Sequence, residues 1–392
     1  MSVGVCVINR NGIALAADSA GTYGGKKMFY NSVNKVFKVS EQNICGAIIY
    51  GNLAIGNVSV EQLLKEFSQY LDTIDPISDF YDIVPKLQEY VHEKNSYYRF
   101  DRHEVSACQE LITKLVNTWG GKIQAVIDTP DATDKIEEIL RELRDTVAMY
   151  IKVPNFDIGQ YINTTYYDYF NGEIKKIVPS IDSITSYKQQ LWAYICDHFN
   201  TALNNELPTS GVFFAGFGKD DAYAKYIKLD LRTVIGGMLK FNEVERYDEA
   251  GVWAKIEPLA QEDIVYTFCK GISKSYIEGI PQKTALLIAD KINSLPGFDE
   301  KQKEILSNAF KDVEKGISDY IAATINAEHV KPLMKSVTLI ELPEMAFLAE
   351  NLVNITSLKR TYSLDGMQQT VGGPTDVAVL SKGDGFSWIK KK

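Results

Sequence analysis

Residues 1–19 read MSVGVCVINRNGIALAADS, and this stretch decides the expected fold. Two apolar runs, 3–9 and 13–17, flank the dipeptide Asn11-Gly12. Asn-Gly between apolar runs is a strong β-hairpin signal, because both residues accept the positive φ angles of a tight turn. The chain is therefore expected to begin with two antiparallel strands.

Ser2 stands at the start of this hairpin, directly after the initiating methionine. If Met1 is removed, residue 2 carries both a hydroxyl and a free α-amine. The unperturbed pKa of an α-amine is about 7.7 to 8.0, so the amine is a suitable general base for the neighbouring hydroxyl. One residue then supplies both parts of an N-terminal nucleophile. The plainer alternative is that Ser2 is only a small residue after the initiator.

Composition excludes several classes of protein. The chain has 392 residues, 45% of them hydrophobic and 24% charged, which is typical of a globular protein with a large core. No run approaches the roughly 18 apolar residues of a membrane span, and a secretory signal is missing, so a cytoplasmic location away from membranes is expected. The net charge of −9 argues against nucleic-acid binding.

Cysteine and histidine positions favour neither disulfides nor metal binding. The five cysteines are widely spaced and form no CxxC pair, which indicates reduced thiols. Cys6 lies inside the first apolar run, where a buried core thiol is the default interpretation. The spacings of the four histidines and the cysteines match no familiar ligand set, so no metal and no cofactor is expected.

Hydrophobic patterns divide the rest of the chain into strand-rich and helical segments. After the strands of the first fifty residues, apolar residues recur at helical spacing behind Ser59-x-x-Gln62, the pattern of a capping box. Long helical patterns then alternate with strand patterns. We accordingly expect one core in three parts, separated by two helical insertions. The core parts are residues 1–76, 208–261 and 336–392, and the insertions are residues 77–207 and 262–335.

Four further motifs follow Ser2 in a defined order. They are Ala17-Asp18-Ser19, Lys35-Val36-Phe37, Tyr50-Gly51-Asn52-Leu53-Ala54 and, near the other end, residues 371–377 with the sequence VGGPTDV. Together these motifs resemble the proteasome β-subunit type of N-terminal nucleophile hydrolase, most closely its bacterial homologues called Anbu. The resemblance implies an α+β fold, a four-layer αββα sandwich of two antiparallel sheets, here enlarged by the two helical insertions.

The resemblance also implies a role for each motif. Ser2 is the nucleophile, Asp18 holds Lys35 charged, and the backbone N–H of Gly51 forms the oxyanion hole. Physical chemistry agrees with these roles. An ammonium beside the Ser2 hydroxyl lowers the cost of forming the alkoxide, and a residue without Cβ lets its N–H approach a developing oxyanion closely.

Each of these residues has an alternative interpretation. Asp18 also fits an Asx turn at the end of a strand. Lys26 and Lys27 compete with Lys35 but are typical solvated turn residues. Lys38 lies three positions further along the same strand, so strand alternation points it to the opposite face.

The residues that hold the terminal amine depart from the family pattern. In that pattern the Asp and Ser of an Asp-x-x-Ser-Gly stretch support the amine, whereas this chain has Gln368-Gln369-Thr370-Val371-Gly372. Asp376 either substitutes for the missing carboxylate or is a structural residue at a strand end.

The function implied by the resemblance is hydrolysis of peptide or amide bonds in a peptide or protein substrate. Homo-oligomerisation into a ring or helical stack is expected, and any unfoldase is a separate chain, since the sequence has no ATPase motif. Two alternatives stay open. One is a catalytically inactive proteasome-like assembly or interaction protein, which a retained Met1 would favour, and the other is a small-amide acylase.

Overall fold

The computed structural model describes residues 2–23, 26–30, 32–40, 42–148, 158–201, 209–247, 254–294, 296–297, 299–310, 312–362 and 371–392. Its strands are β1 (Val3–Asn9), β2 (Gly12–Asp18), β3 (Gly21–Tyr23), β4 (Lys26–Tyr30), β5 (Val36–Ser40), β6 (Cys45–Gly51), β7 (Ala54–Ile55), β8 (Val58–Ser59), β9 (Ser210–Gly216), β10 (Lys225–Ile235), β11 (Met238–Tyr247), β12 (Ala254–Ala260), β13 (Thr375–Ser381) and β14 (Gly385–Lys390).

In sequence, the described helices lie between β8 and β9 or between β12 and β13. They are α1 (Val60–Leu71), α2 (Ile83–Glu93), α3 (Asn95–Tyr98), α4 (Asp101–Leu115), α5 (Gly121–Val126), α6 (Ala132–Ala148), α7 (Ile158–Thr165), α8 (Tyr167–Ile177), α9 (Thr185–Phe199), α10 (Asp263–Lys270), α11 (Lys274–Asn293), α12 (Glu300–Ala309), α13 (Val313–Ile325), α14 (Lys331–Leu339) and α15 (Leu342–Tyr362). In the described part of the chain, no helix is long and apolar enough to cross a bilayer.

Two five-stranded sheets form the centre of the molecule. The first has the order β12-β1-β2-β13-β14 and the second the order β11-β10-β9-β6-β5. Neighbouring strands in both sheets are antiparallel. The predicted hairpin is confirmed, because β1 pairs with β2 and Asn9 lies opposite Gly12. An α+β chain with two antiparallel sheets is confirmed as well.

The two sheets pack face to face. Cys6 and Leu15 of the first sheet and Ile48 and Phe213 of the second belong to one buried apolar cluster. Successive side chains of a strand point to opposite faces, so Val5, the neighbour of Cys6, belongs to a different cluster on the outer side. Strands that are buried on both faces are apolar throughout, which explains the continuous apolar runs that begin the chain.

Helices cover the outer faces of both sheets. Outside the first sheet, Met345 and Val353 of α15 pack in the same cluster as Val5. Outside the second sheet, Leu64 of α1 and Leu87 of α2 pack with the sheet's outward side chains. The layers of the molecule therefore run helix, sheet, sheet, helix.

Helices α4–α9 enclose an apolar core of their own, which reaches the second sheet at Ile235 and Met238. Residues 77–100, by contrast, contribute to the cluster on the second sheet. The division of the chain at residue 77 stays a proposal, and the packing favours a start of the first insertion at α4.

Glu104 on α4 ties the first insertion to the second sheet. Its buried carboxylate accepts hydrogen bonds from the backbone N–H of Gly236 at 2.7 Å and from the hydroxyls of Tyr161 at 2.6 Å and Tyr166 at 3.0 Å. Gly236 lies in the turn between β10 and β11 with a φ of +59°. One carboxylate thus joins α4, the α7–α8 region and the sheet.

We expect Glu104→Ala to destabilise the fold by about 3 kcal/mol, because it leaves buried donors without an acceptor. Urea unfolding measures this as a lowered midpoint. Glu138→Ala on the exposed side of α6 is the matched control and should change stability by no more than about 0.5 kcal/mol. Equal midpoints for the two variants would contradict the assigned role of Glu104.

The helix predicted behind Ser59 is α1, which begins at Val60 after the short hairpin β7–β8. Ser59 is the N-cap residue of α1, but its side chain makes no capping hydrogen bond. The predicted Ser59–Gln62 capping box is therefore wrong, because Ser59 pairs with Ala54 as the last residue of that hairpin.

Candidate active site

Asp18 is the last residue of β2, and its buried carboxylate is saturated with hydrogen bonds. Its Oδ1 accepts from Lys35 Nζ at 2.5 Å and from the backbone N–H of Val3 at 3.0 Å. Its Oδ2 accepts from the N–H of Gly372 at 3.0 Å and from that of Ala20 at 3.3 Å. The contact to Ala20 has the spacing of an Asx turn, so Asp18 combines the turn role with the ion pair.

Lys35 lies immediately before β5, where it joins the two sheets. Its side chain, 1% exposed, forms the ion pair with Asp18 of the first sheet. Its carbonyl accepts a hydrogen bond from the N–H of Ile49 in the second sheet at 2.9 Å. Lys35 is thus held at both its backbone and its ammonium.

Burial lowers the pKa of Lys35 below the ordinary value of a lysine. The nearby carboxylate of Asp18 acts in the opposite direction, and the cation of Lys392 adds to the lowering. The carboxylate therefore favours the charged form, as expected, but desolvation has the larger effect. The resulting amine gives up its proton more readily than an exposed lysine does.

Ser2 is fixed beside this pair by the backbone on both of its sides. Its carbonyl accepts a hydrogen bond from the N–H of Gln261, just after β12, at 3.3 Å. The next N–H, of Val3, donates to Asp18. Ser2 is 4% exposed. Met1 lies outside the described residues.

Gly51 ends β6 in the left-handed region, with a φ of +76°. The N–H of Ile49 points to the β5 side of the strand, where it meets the carbonyl of Lys35. Strand alternation turns the N–H of Gly51, two residues later, to the same side. A Cβ at this position would lie 3.2 Å from the carbonyl oxygen of Thr209, so both the φ angle and the space favour glycine.

The four predicted site residues lie at one end of the sandwich. β1 begins and β2 ends there in the first sheet, and β5 begins and β6 ends there in the second. The ion pair of Asp18 with Lys35 joins the two sheets at this end. The structure thus gathers Ser2, Asp18, Lys35 and Gly51, which are separated in sequence.

The other candidates make different contacts. The side chains of Lys26 and Lys27 and the stretch 368–370 lie outside the described residues. Asp376 binds Lys392, accepting from its backbone N–H at 2.9 Å and lying 3.5 Å from its Nζ. These contacts give Asp376 a structural role at the start of β13.

The cysteines and histidines form no further site within the described residues. Burial raises the pKa of the Cys6 thiol well above its ordinary value, as in an inert core cysteine. All five cysteines are free thiols. In the described ranges, no group of three or more His, Cys, Asp or Glu side chains is arranged to hold a metal ion.

Comparisons with known proteins found similar solved structures only. No family model and no curated protein matches the chain. The solved structure of an Anbu (Gly-1) mutant from Hyphomicrobium sp. strain MC1 has a TM-score of 0.28 and 10% identity, over 100% of this chain and 86% of that one. Eukaryotic HslV from Trypanosoma brucei has a TM-score of 0.20 and 8% identity, over 80% of this chain and 91% of that one. At such TM-scores the likeness carries no argument about activity.

Proposed function

We propose that this chain is an N-terminal nucleophile hydrolase with the αββα sandwich of proteasome β-subunits, and that it cleaves peptide or amide bonds. The observation that carries the proposal is the bridging role of Asp18. One oxygen of its carboxylate accepts from both the Lys35 ammonium and the N–H that follows Ser2. A nucleophile at residue 2 therefore has a lysine of lowered pKa beside it.

The reaction begins after removal of Met1. Ser2 Oγ attacks the substrate carbonyl, and the hydroxyl proton passes to the free α-amine or to neutral Lys35. The carbon–nitrogen bond then breaks, and the departing amine takes up that proton. Water attacks the resulting ester, its proton returns to the same base, and the free acid leaves with Ser2 restored.

Lys35 suits this proton transfer because its pKa is lowered by burial. A larger fraction of its amine is neutral near physiological pH than for an exposed lysine. Asp18 keeps that amine in place in both protonation states. The carboxylate and the lysine thus act as one unit on the nucleophile.

Gly51 supplies the oxyanion donor in this proposal. Its N–H faces the side of β6 on which Lys35 lies, at the end of the strand. Removal of a single oxyanion donor typically costs about 10²- to 10³-fold in kcat.

We expect Gly51→Ala to lower kcat on a peptide-amide substrate by about 10²- to 10³-fold, because a Cβ at this φ displaces the N–H. Gly383→Ala is the matched control, since a Cβ there meets nothing within 4 Å. Steady-state hydrolysis and urea unfolding are measured on both variants. Wild-type turnover in folded Gly51→Ala would contradict the assigned oxyanion site.

Assembly into a homo-oligomer, in a ring or a stack, is part of the proposal. The second helical insertion and α15 expose large apolar side chains: Tyr276 is 63% exposed, Leu286 61%, Tyr320 72% and Phe347 70%. Apolar surface of this kind favours contact with further protein. The same observation supports the second candidate, an inactive assembly protein of the same fold, which applies if Met1 is retained.

The substrate class is tested by turnover of matched compounds. We propose peptides or proteins as substrates, a separate unfoldase as a partner and a cytoplasmic location. Hydrolysis of small N-acyl amides with no turnover of peptides would instead favour the small-amide acylase.

A further inference from the structure

Lys392 lies at the same end of the sandwich as Ser2. Its side chain, 15% exposed, contacts Asp376 and donates a hydrogen bond to the carbonyl of Val33. Its own backbone N–H donates to Asp376 at 2.9 Å. Asp376 lies opposite Ala17 in the sheet, one position from Asp18. The ammonium of Lys392 is therefore anchored within the layer that carries the candidate site.

Val33 precedes Lys35 by two residues and is fixed from both sides. Its N–H donates to the carbonyl of Ser19 at 3.1 Å, and its carbonyl accepts from Lys392. The hydroxyl of Ser19 in turn donates to the carbonyl of Pro374 at 2.5 Å. These bonds tie the segment that leads into β5 to the ends of β2 and β13, in the opposite sheet.

We propose that Lys392 is a positioning residue for Lys35, which it serves by fixing the Val33 carbonyl against Asp376. Val33 has two anchors, the Ser19 carbonyl and the Lys392 ammonium, and the next residue, Asn34, donates from its side chain to Glu61 on α1 at 2.8 Å. Without the second anchor, the segment keeps its N–H bond but loses the restraint on the peptide that precedes Asn34. The direction of the Lys35 side chain toward Asp18 then becomes less well defined. The inference rests on the proposed function, because it concerns the base of that reaction.

Lys392 also contributes charge. Among the described residues, Asp18 on β2 faces Lys35, Asp376 on β13 faces Lys392, and Glu61 on α1, which pairs with Lys65, also feels the charge of Lys392. Burial has the largest effect on the pKa of Lys35, Asp18 opposes it, and Lys392 reinforces the lowering. Loss of the Lys392 charge is therefore expected to raise the pKa of Lys35, because a neighbouring cation disfavours its charged form.

The test compares three variants of the full chain by the rate at which a serine-directed acylating probe labels Ser2 across pH. Lys392→Met should lower this rate by up to about 100-fold and shift its acid limb to higher pH. Lys392→Arg keeps the charge and a donor and should restore the wild-type profile. Lys391→Met is the control, since Lys391 lies over the ring of Trp388, 4.8 Å from its centroid.

A second readout separates this inference from the proposed function. The titration of Lys35 is followed by NMR of ¹³C-labelled lysine, with its signal assigned from Lys35→Met. The pKa of Lys35 should be higher in Lys392→Met than in the wild-type chain. An unchanged titration and an unchanged labelling profile would overturn the role of Lys392. A wild-type chain that is never labelled at Ser2 would instead overturn the proposed function.

Discussion

Replacement of Ser2 by alanine is expected to lower turnover of a peptide-amide substrate by about 10⁴- to 10⁶-fold. The alanine variant keeps the backbone bonds of residue 2, to Gln261 and, through Val3, to Asp18. It removes only the hydroxyl that forms the ester, and loss of a nucleophile costs about this much in other acyl-transfer enzymes. Hydrolysis of a fluorogenic peptide amide measures the change.

The control for this variant is Ser2→Thr, which keeps both the hydroxyl and the α-amine. It should retain turnover within about tenfold, since threonine adds only a methyl group that restricts χ1. Undiminished hydrolysis by Ser2→Ala would remove Ser2 from the reaction. It would also leave the ion pair of Asp18 with Lys35 as a purely structural feature.

Replacement of Lys35 by methionine is the second large effect. We expect kcat to fall by about 10²- to 10⁴-fold, the usual contribution of a positioned acid or base. The part of the acid limb that reports Lys35 should disappear with the lysine, whereas the part set by the α-amine of residue 2 stays. The direction of the pH dependence follows from the chemistry. Because the neutral amine accepts the proton, activity rises as pH increases through the lowered pKa of Lys35.

Loss of Lys35 also leaves the buried carboxylate of Asp18 unpaired, at a cost of about 3–5 kcal/mol in stability. The double variant Asp18→Asn with Lys35→Met removes both charges and should recover much of the stability without recovering activity. Lys38→Met, on the half-buried face of β5, is the matched lysine control. A stable double variant with wild-type turnover and an unchanged pH profile would contradict the role of Lys35.

Local sequence signals predicted the parts of the fold that depend on neighbouring residues. Asn11-Gly12 predicted the first hairpin, although the turn lies one residue earlier, at Arg10 and Asn11, because Gly12 pairs with Asn9. The continuous apolar runs around it reflect strands buried on both faces. The sequence patterns did not predict β11. Its alternation of apolar and polar residues is interrupted by four charged residues, Lys240, Glu243, Glu245 and Arg246. The capping box at Ser59 was predicted wrongly, since the β7–β8 hairpin uses that residue as a strand end.

The sequence predicted residues of the candidate site only where they belong to a recognised motif. The family resemblance identified Asp18 and Lys35 as a pair, and the fold brings them to 2.5 Å. Lys392 gave no such signal, because it is one of three successive lysines, Lys390-Lys391-Lys392, that match no motif of the family. Its contact with Val33 depends on β13 and β14 returning beside β2, which is a property of the assembled sheet. The net direction of the Lys35 pKa likewise depends on burial.

The most direct test of the central claim is the intact mass of the native chain before and after treatment with a serine-directed acylating probe. We expect a mass that lacks the initiating methionine, and one probe molecule that fragmentation places on Ser2. Retention of Met1, or a probe attached anywhere other than Ser2, would contradict the account.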